Sequence, residues 1–370
     1  MSTFHVELKK TVDDSYEIEV GRSLGQKLAD DLTGGLMENL HRFALVTDSH
    51  VEPLYAQPLC RRLGGAGFTG EIFSFPAGEE YKTRETKAAL EDRMLAAGYR
   101  RDCFVLAVGG GVVSDLAGFL AGTFGRGVPF INYATTLLAA ADASVGGKTA
   151  VDTPLATNLI GLFNQPRKVY IDIDCWNTLP QREISSGLAE TVKHACLADR
   201  AFFDYLEEHM EEILEVSSAA CEPMARKNCE IKYQVVMKDE RETGLREILN
   251  LGHTVGRAIE TLSGYRLLHG EAVSIGLMAA CMLSVRMGYM TEGETVRVRN
   301  LLSRAKLPVR IPDYIDREAL VRKLYTDKKV RNGRLRFVIP RCIGEIVEFR
   351  PGVFAEEISE ETAGEIIEAL

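Results

Sequence analysis

The chain has 370 residues, enough for two domains of ordinary size, and its 46% hydrophobic and 26% charged content is that of a globular protein in water. A net charge of −9 argues against a general nucleic-acid or anionic-membrane partner, while leaving room for a local basic cleft that takes a small anion. No run of about 18 apolar residues suggests a transmembrane helix, MSTFHVELKK lacks a signal-peptide core, and the cysteines are scattered without a CxxC pair, as expected of buried thiols in a reducing cytosol.

In chain order, HVELKK and SYEIEVG flank the turn-like VDDS and predict an opening hairpin. FALVTD (43–48), GEIFSF (70–75), CFVLAVGGG (103–111), PFINYA (129–134) and KVYIDID (168–174) read as short buried strands, with amphipathic segments near 52–64 and 83–98 between them. That alternation predicts a parallel sheet covered by helices. From about 183 to 307, apolar residues recur at helical spacing, as in FFDYLEEHMEEILEV and EAVSIGLMAACMLSVRMGYM. LRFVIP (335–340) suggests a small terminal ribbon. The expected architecture is α/β followed by all-α: a Rossmann-like parallel sheet over 1–182, then a mainly helical part over 183–370.

Gly109, Gly110 and Gly111, in LAVGGGVVSDLAG (106–118), lie between a strand and a helix, where backbone N–H groups and the helix's positive end suit a phosphate. The dinucleotide fingerprint fails at its third glycine, where Ser114 stands, so a tight turn without a ligand competes with that reading. Asp48 ends a strand, where it suits a ribose diol and equally suits capping the next helix. In ATTLLAAADASVGGKTAVDTPLATN (134–158), glycines beside Lys148 allow an anion close approach, with Asp142 and Asn158 nearby; the P-loop register is absent, and a solvated Gly-rich loop is the alternative.

Glu190, His253 and His269 sit in GLAETVKH, NLGHTVGRAIE and LLHGEAV, words built for close polar packing. They form an N/N/O set suited to Zn²⁺ or Co²⁺, without the HExxH spacing of a metalloprotease helix; each histidine alone is more often a satisfied core or surface group. Arg257 shares a helix face with His253, and Lys193 follows Glu190 by one turn. With Lys232, Arg246 and Asn250 they suit a substrate carrying several negative charges. DKK (327–329) reads first as a solvated loop.

The ordered series VTDSHVEPLY, PAGEEYKT, AVGGGVVSDLAGF, RGVPF, TTLLAAADASVGGKTAV, IGLFNQP, TLPQREISSGLAE, EIKYQVV, DERE, LNLGHT, LLHGEAV and DKKVRNGRLRFVIP resembles 3-dehydroquinate synthase and the other sugar phosphate cyclases, from about residue 16 to 350. The resemblance implies an NAD-binding domain, a helical metal-binding domain and a cleft between them. By it, Glu190, His253 and His269 would hold the metal. Asp48, Glu79, Lys82, Gly109, Gly110, Gly111, Asp115, Thr135, Thr136 and Thr178 would hold NAD, with Asp142 and Lys148 shared with the substrate. Asp142, Lys148, Asn158, Lys193, Lys232, Arg246, Asn250, Arg257 and Lys328 would line the sugar phosphate, and Arg126 would come from the neighbouring subunit of a homodimer. The implied reaction oxidises a secondary alcohol with NAD⁺, eliminates phosphate, returns the hydride, and closes a carbocycle by an intramolecular aldol step.

This chain departs from the family pattern at Arg257, where histidine is usual, at Asp152 and Thr157 for asparagine and lysine, at His194–Ala195 for tyrosine and glycine, and at Ser114 for glycine. Arg257 keeps a cation but cannot release its proton near neutrality. Lys232 and Arg246 are retained, and in the resemblance they grip a carboxylate, which favours the 2-keto acid 3-deoxy-arabino-heptulosonate 7-phosphate as substrate. The competing expectations are an amino-dehydroquinate or valiolone-type cyclase, a metal-dependent polyol dehydrogenase that would accumulate NADH, and a non-catalytic NAD-binding relative.

Overall fold

The computed structural model describes residues 3–9, 11–326 and 335–370. Its first part alternates β1 (Glu17–Gly21), α1 (Gly25–Thr33), β2 (Arg42–Asp48), α2 (Gln57–Gly65), β3 (Thr69–Phe75), α3 (Arg84–Ala96), β4 (Phe104–Gly109), α4 (Gly111–Thr123) and β5 (Phe130–Ala134). A hairpin follows, β6 (Lys148–Thr153) and β7 (Ala156–Phe163), and then β8 (Lys168–Asp172). Six strands form one sheet in the order β1-β8-β5-β4-β2-β3, and every neighbouring pair is parallel. β4, β5 and β8 are buried along their whole length, because helices cover both faces of the sheet.

Two expectations need correction. The opening hairpin does not form: Glu17–Gly21 pairs in parallel with Lys168–Asp172, and the stretch before it carries Phe4, Val6 and Leu8 exposed. A buried edge beside β8 gives Ile18 and Val20 a core to enter, which a two-stranded ribbon at the chain start would not. The segment read as a Gly-rich loop folds in part as the antiparallel β6–β7 pair, whose Thr149 and Val151 are buried under α4. The interruptions at Gly146–Gly147 hide that strand from a periodicity reading.

The second part is helical: α5 (Gln181–Ala198), α6 (Arg200–Leu214), α7 (Ser218–Lys238), α8 (His253–Leu262), α9 (His269–Arg286), α10 (Glu292–Arg304) and α11 (Arg317–Thr326). β9 (Arg336–Val338), β10 (Pro340–Cys342), β11 (Glu345–Ile346), β12 (Ala355–Glu357) and α12 (Glu360–Ala369) close the chain, with LRFVIP contributing to a ribbon through β9–β12. Local chemistry sets several starts. Asp199 caps α6 through Phe202 N at 2.9 Å, and Thr291 with Glu294 forms a capping box on α10. One core runs from Leu28, Phe43 and Trp176 to Leu188, Ile259 and Met278, so the helices pack on one face of the sheet through shared apolar contacts; α3 and α4 cover the other with Leu90, Met94, Leu116 and Leu120. All eight cysteines are free thiols, and no helix among the described residues is long and apolar enough to cross a membrane.

Candidate active site

Chain order leaves β2 to β3 in one direction and returns to β4 on the other side of β2, so the strand order reverses between β2 and β4. In an open parallel sheet, the crevice beyond the carboxyl ends at such a reversal is where ligands bind. Asp48 ends β2 and Gly109 ends β4. Asp48 Oδ1 accepts from His50 N (2.8 Å) and Val51 N (3.0 Å), so it does cap the following turn, while Oδ2 makes no hydrogen bond to the described protein. A Cβ at Gly109 would strike Val113 at 2.5 Å, and one at Gly110 would meet Thr136 Cγ2 at 3.0 Å. A side chain is therefore excluded at Gly109 and crowded at Gly110, and the bare backbone of the turn leads into the N-terminus of α4, a cradle that fits a pyrophosphate. Thr135 N donates to Gly109 O at 3.0 Å, which sets Thr135 and Thr136 beside it. Thr178 bonds Tyr55 Oη at 2.7 Å, after β8.

Beside this crevice, Lys82 is buried and its ammonium lies 3.0 Å from both Glu79 Oε1 and Asp115 Oδ2. Lys82 O accepts from Asp152 N at 2.7 Å, and the Asp152 carboxylate adds its charge to the cluster. One cation among three acids leaves an acidic surplus. Burial pushes the Asp115 carboxyl up to about 6 against the pull of Lys82.

Glu190, His253 and His269 come from α5, α8 and α9, which touch through glycine. A Cβ at Gly270 would overlap Ser186 O on α5, and one at Gly276 would overlap Gly252 O ahead of α8. Gly252 itself has φ +76, a left-handed cap that favours glycine. The close approach brings His253 Nε2 to 3.6 Å and His269 Nε2 to 3.5 Å from Glu190 Oε1, with ligand atoms of the three residues within 4.8 Å of one another. Both Glu190 oxygens are buried without a hydrogen-bond partner, although the Lys193 ammonium pairs with Oε2. Each imidazole is oriented from behind: His253 Nδ1 lies 3.2 Å from Leu251 O, and His269 Nδ1 lies 3.4 Å from Glu260 Oε2. A buried carboxylate oxygen, Glu190 Oε1, facing two Nε2 atoms whose Nδ1 atoms are anchored is the donor arrangement of a divalent metal site, and these residues fit one. Without an ion, burial lowers the basicity of both rings. Lys193 adds to that at His253, whereas Glu190 and Glu260 lift His269 to about 10.

Around this centre the remaining groups are already engaged. Burial would raise the Asp142 carboxyl, but Lys232 and then Lys193 hold it well below the usual range; Lys232 pairs with Asp142 Oδ1 at 2.5 Å. Lys193 donates to Leu249 O at 2.8 Å. Arg246 is buried with Nη2 on Gly146 O (2.9 Å) and Nη1 on Glu240 O, so its guanidinium ties two loops together. Arg257 makes no side-chain hydrogen bond or ion pair among the described residues. Asn158 has φ +53, and its N–H is held by Asp152 Oδ1 at 2.7 Å. Arg126, φ +72, is exposed on a surface cleft with Arg100 and Arg101, lined by none of the metal-group residues. Lys328 lies outside the described residues.

Two groups beside the trio, the half-buried Glu260 and the buried His194, stand outside the site set expected from the sequence. Glu260 was legible in NLGHTVGRAIE, seven residues after His253 on the same helix face. His194, wholly buried, has Nδ1 3.2 Å from Asn228 Oδ1, and burial and the Lys193 charge hold its pKa at about 4. A ring nitrogen of His194 lies within 4.8 Å of carboxylate oxygens of Asp142 and Glu190, but Lys232 and Lys193 already face those carboxylates, so this second trio is balanced without an ion.

Residues 72–186 match the model of the 3-dehydroquinate synthase N-terminal region, and residues 187–330 match that of its C-terminal region. A 3-dehydroquinate synthase of Pelobacter propionicus is 47% identical over 307 residues, spanning 83% of this chain and 85% of that protein. The chain belongs to the 3-dehydroquinate synthase family. A second family member, the 3-dehydroquinate synthase of Desulforamulus reducens, is 42% identical over 95% of this chain and 96% of its own. The solved structure of a 2-epi-5-epi-valiolone synthase from Streptomyces hygroscopicus subsp. jinggangensis, with NAD⁺ and Zn²⁺ bound, is 29% identical, superposes with a TM-score of 0.88 and covers 99% of both chains. The expected architecture, a parallel α/β sheet followed by helices, is therefore the architecture of the family.

Proposed function

We propose that this chain is a 3-dehydroquinate synthase of the shikimate pathway, working in the cytoplasm as a homodimer with NAD⁺ and Zn²⁺ or Co²⁺. It would convert 3-deoxy-arabino-heptulosonate 7-phosphate to 3-dehydroquinate and inorganic phosphate. The observation that carries the reading is the buried Glu190 carboxylate, paired with Lys193 through Oε2 and facing His253 and His269 with Oε1, in a chain 47% identical to a 3-dehydroquinate synthase.

Glu190, His253 and His269 would hold a divalent ion and the Gly109–Gly111 turn would hold NAD⁺; the two would supply polarisation of a secondary alcohol and a hydride acceptor. Asp142, kept ionised by Lys232 and Lys193, is an acceptor for substrate hydroxyls. Lys148, Lys193 and Lys232, each paired with a carboxylate, would supply ammonium donors to a sugar phosphate, and burial of the last two would keep water from the reacting carbons. Arg257, permanently charged and without a partner among the described residues, would grip the departing phosphate without passing it a proton, leaving a phosphate oxygen as the base. Arg126 would complete the phosphate end from the partner subunit.

A valiolone-type cyclase is the second reading. It is favoured by the likeness to the 2-epi-5-epi-valiolone synthase and by Arg246, both of whose terminal nitrogens already bond Gly146 O and Glu240 O, leaving its buried Nε as the nitrogen without a partner. Phosphate release by the NAD⁺- and Zn²⁺-loaded protein, measured with the heptulosonate phosphate and with sedoheptulose 7-phosphate side by side, separates the two. Release from the keto acid alone is expected, with 3-dehydroquinate as product; release from sedoheptulose 7-phosphate alone overturns the first reading.

A further inference from the structure

Glu242 stands in none of the site assignments above, yet its carboxylate holds two of the groups assigned to the substrate. Oε1 accepts from Asn250 Nδ2 at 2.7 Å, and Oε2 pairs with the Lys148 ammonium. Lys148 opens β6, on the sheet side of the cleft, and Asn250 ends the short turn before α8, on the helical side. A single carboxylate thus spans the cleft. Its backbone is left-handed, φ +58, a conformation disfavoured for a residue with a Cβ. Asp239 enforces it: Oδ1 accepts from Thr243 N at 2.8 Å, and Oδ2 from Gly244 N and Arg246 N at 2.8 and 2.9 Å. Those three bonds draw the chain into a tight turn that presents Glu242 to the cleft.

We propose that Glu242 is an internal counter-ion occupying an anion subsite made by Lys148 and Asn250, and that substrate enters by exchanging its own phosphate or carboxylate for the Glu242 carboxylate. This rests on the sugar phosphate reading above. Glu242 then acts as a specificity-determining residue. A neutral sugar that displaces it leaves Lys148 without a counter-charge, whereas a substrate anion restores the charge balance it leaves behind. The exchange is feasible because the pair is partly solvated, with Lys148 46% and Glu242 29% exposed. A pair in that setting is worth up to about fivefold in an equilibrium constant. That is enough to discourage uncharged sugars and too little to bar an anion.

The test is calorimetric titration of the NAD⁺- and Zn²⁺-loaded protein with inorganic phosphate and, separately, with pyruvate, alongside KM and kcat for the sugar phosphate. Wild type, Glu242→Gln and Glu242→Ala are compared, with thermal melting to verify folding. Both variants are expected to bind an anion about two- to fivefold more tightly than wild type, with KM falling in step; the probe that tightens identifies the group that takes the subsite. Unchanged or weaker binding in Glu242→Gln, which keeps an acceptor for Asn250, overturns the inference and makes Glu242 a structural tie; should the glutamine variant misfold, unchanged or weaker binding in Glu242→Ala overturns it equally. If wild type binds neither probe nor the sugar phosphate, the sugar phosphate reading itself fails, and this inference falls with it.

Discussion

Arg257 stands one helical turn beyond His253 and, alone among the basic groups near the metal trio, has no protein partner among the described residues. Lys193, Lys232 and Arg246 each give at least one donor to a carboxylate or a backbone carbonyl. A free cation beside a phosphate forms charge-assisted hydrogen bonds, worth roughly 1.5–3 kcal/mol each when removed. Arg257→Ala should therefore raise KM for the sugar phosphate about 10- to 100-fold, while NAD⁺ affinity, read by fluorescence titration, stays as in wild type. An equal loss in both would show a collapsed helix face. The metal trio was legible in the sequence because glycine flanks each ligand. Engagement was not: a cation such as Arg246 looks the same in a sequence whether it faces a substrate or ties two loops. Only the positions of Gly146 O, 100 residues away along the chain, and of Glu240 O, 6 residues away, decide that.

At the scale of elements, the turn from Asp239 to Arg246 is held by one carboxylate. Burial would raise the Asp239 carboxyl, but the N–H groups of Thr243, Arg246 and Gly244 outweigh it and bring its pKa down to about 2. A depressed carboxyl stabilises the fold above its unfolded pKa near 4, and that stabilisation is lost as pH falls through about 2. Asp239→Asn should cost roughly 2 kcal/mol at pH 7, by urea unfolding, and the gap from wild type should narrow below pH 4; a gap independent of pH would mean the amide fails for reasons of shape. Buried strands such as FVLAVG and long helices such as EAVSIGLMAACMLSVR were legible as elements, since their composition matches two-sided burial. The β6–β7 pair was not, because β6 follows two left-handed glycines and β7 is half exposed along its length. The expected hairpin at the chain start failed for a different reason, since pairing with β8 across the sheet outcompetes a local turn.

At the scale of the molecule, the family resemblance made the fold legible through motif order, but a single chain does not display a subunit boundary. Arg126 lies on a surface cleft apart from the metal group, in keeping with service to a neighbouring site. If it serves the partner, Arg126→Ala and Lys232→Ala proteins, each inactive alone, should regain about a quarter of wild-type turnover after mixing and reassociation, since half the dimers are mixed and each carries one intact site. Private sites would leave the mixture inactive. The sheet order also sets a timetable. β1 is made before the other strands of the sheet yet sits at its edge, and its only strand neighbour among the described residues is β8, with Glu17 and Lys168 separated by 151 residues. At ribosomal speeds of about 5–20 residues per second, that strand waits some ~8–30 s for its partner to be translated. During that interval the nascent chain carries an unpaired, half-apolar strand, so the speed of elongation through the intervening codons governs how long proteases and chaperones have access to it.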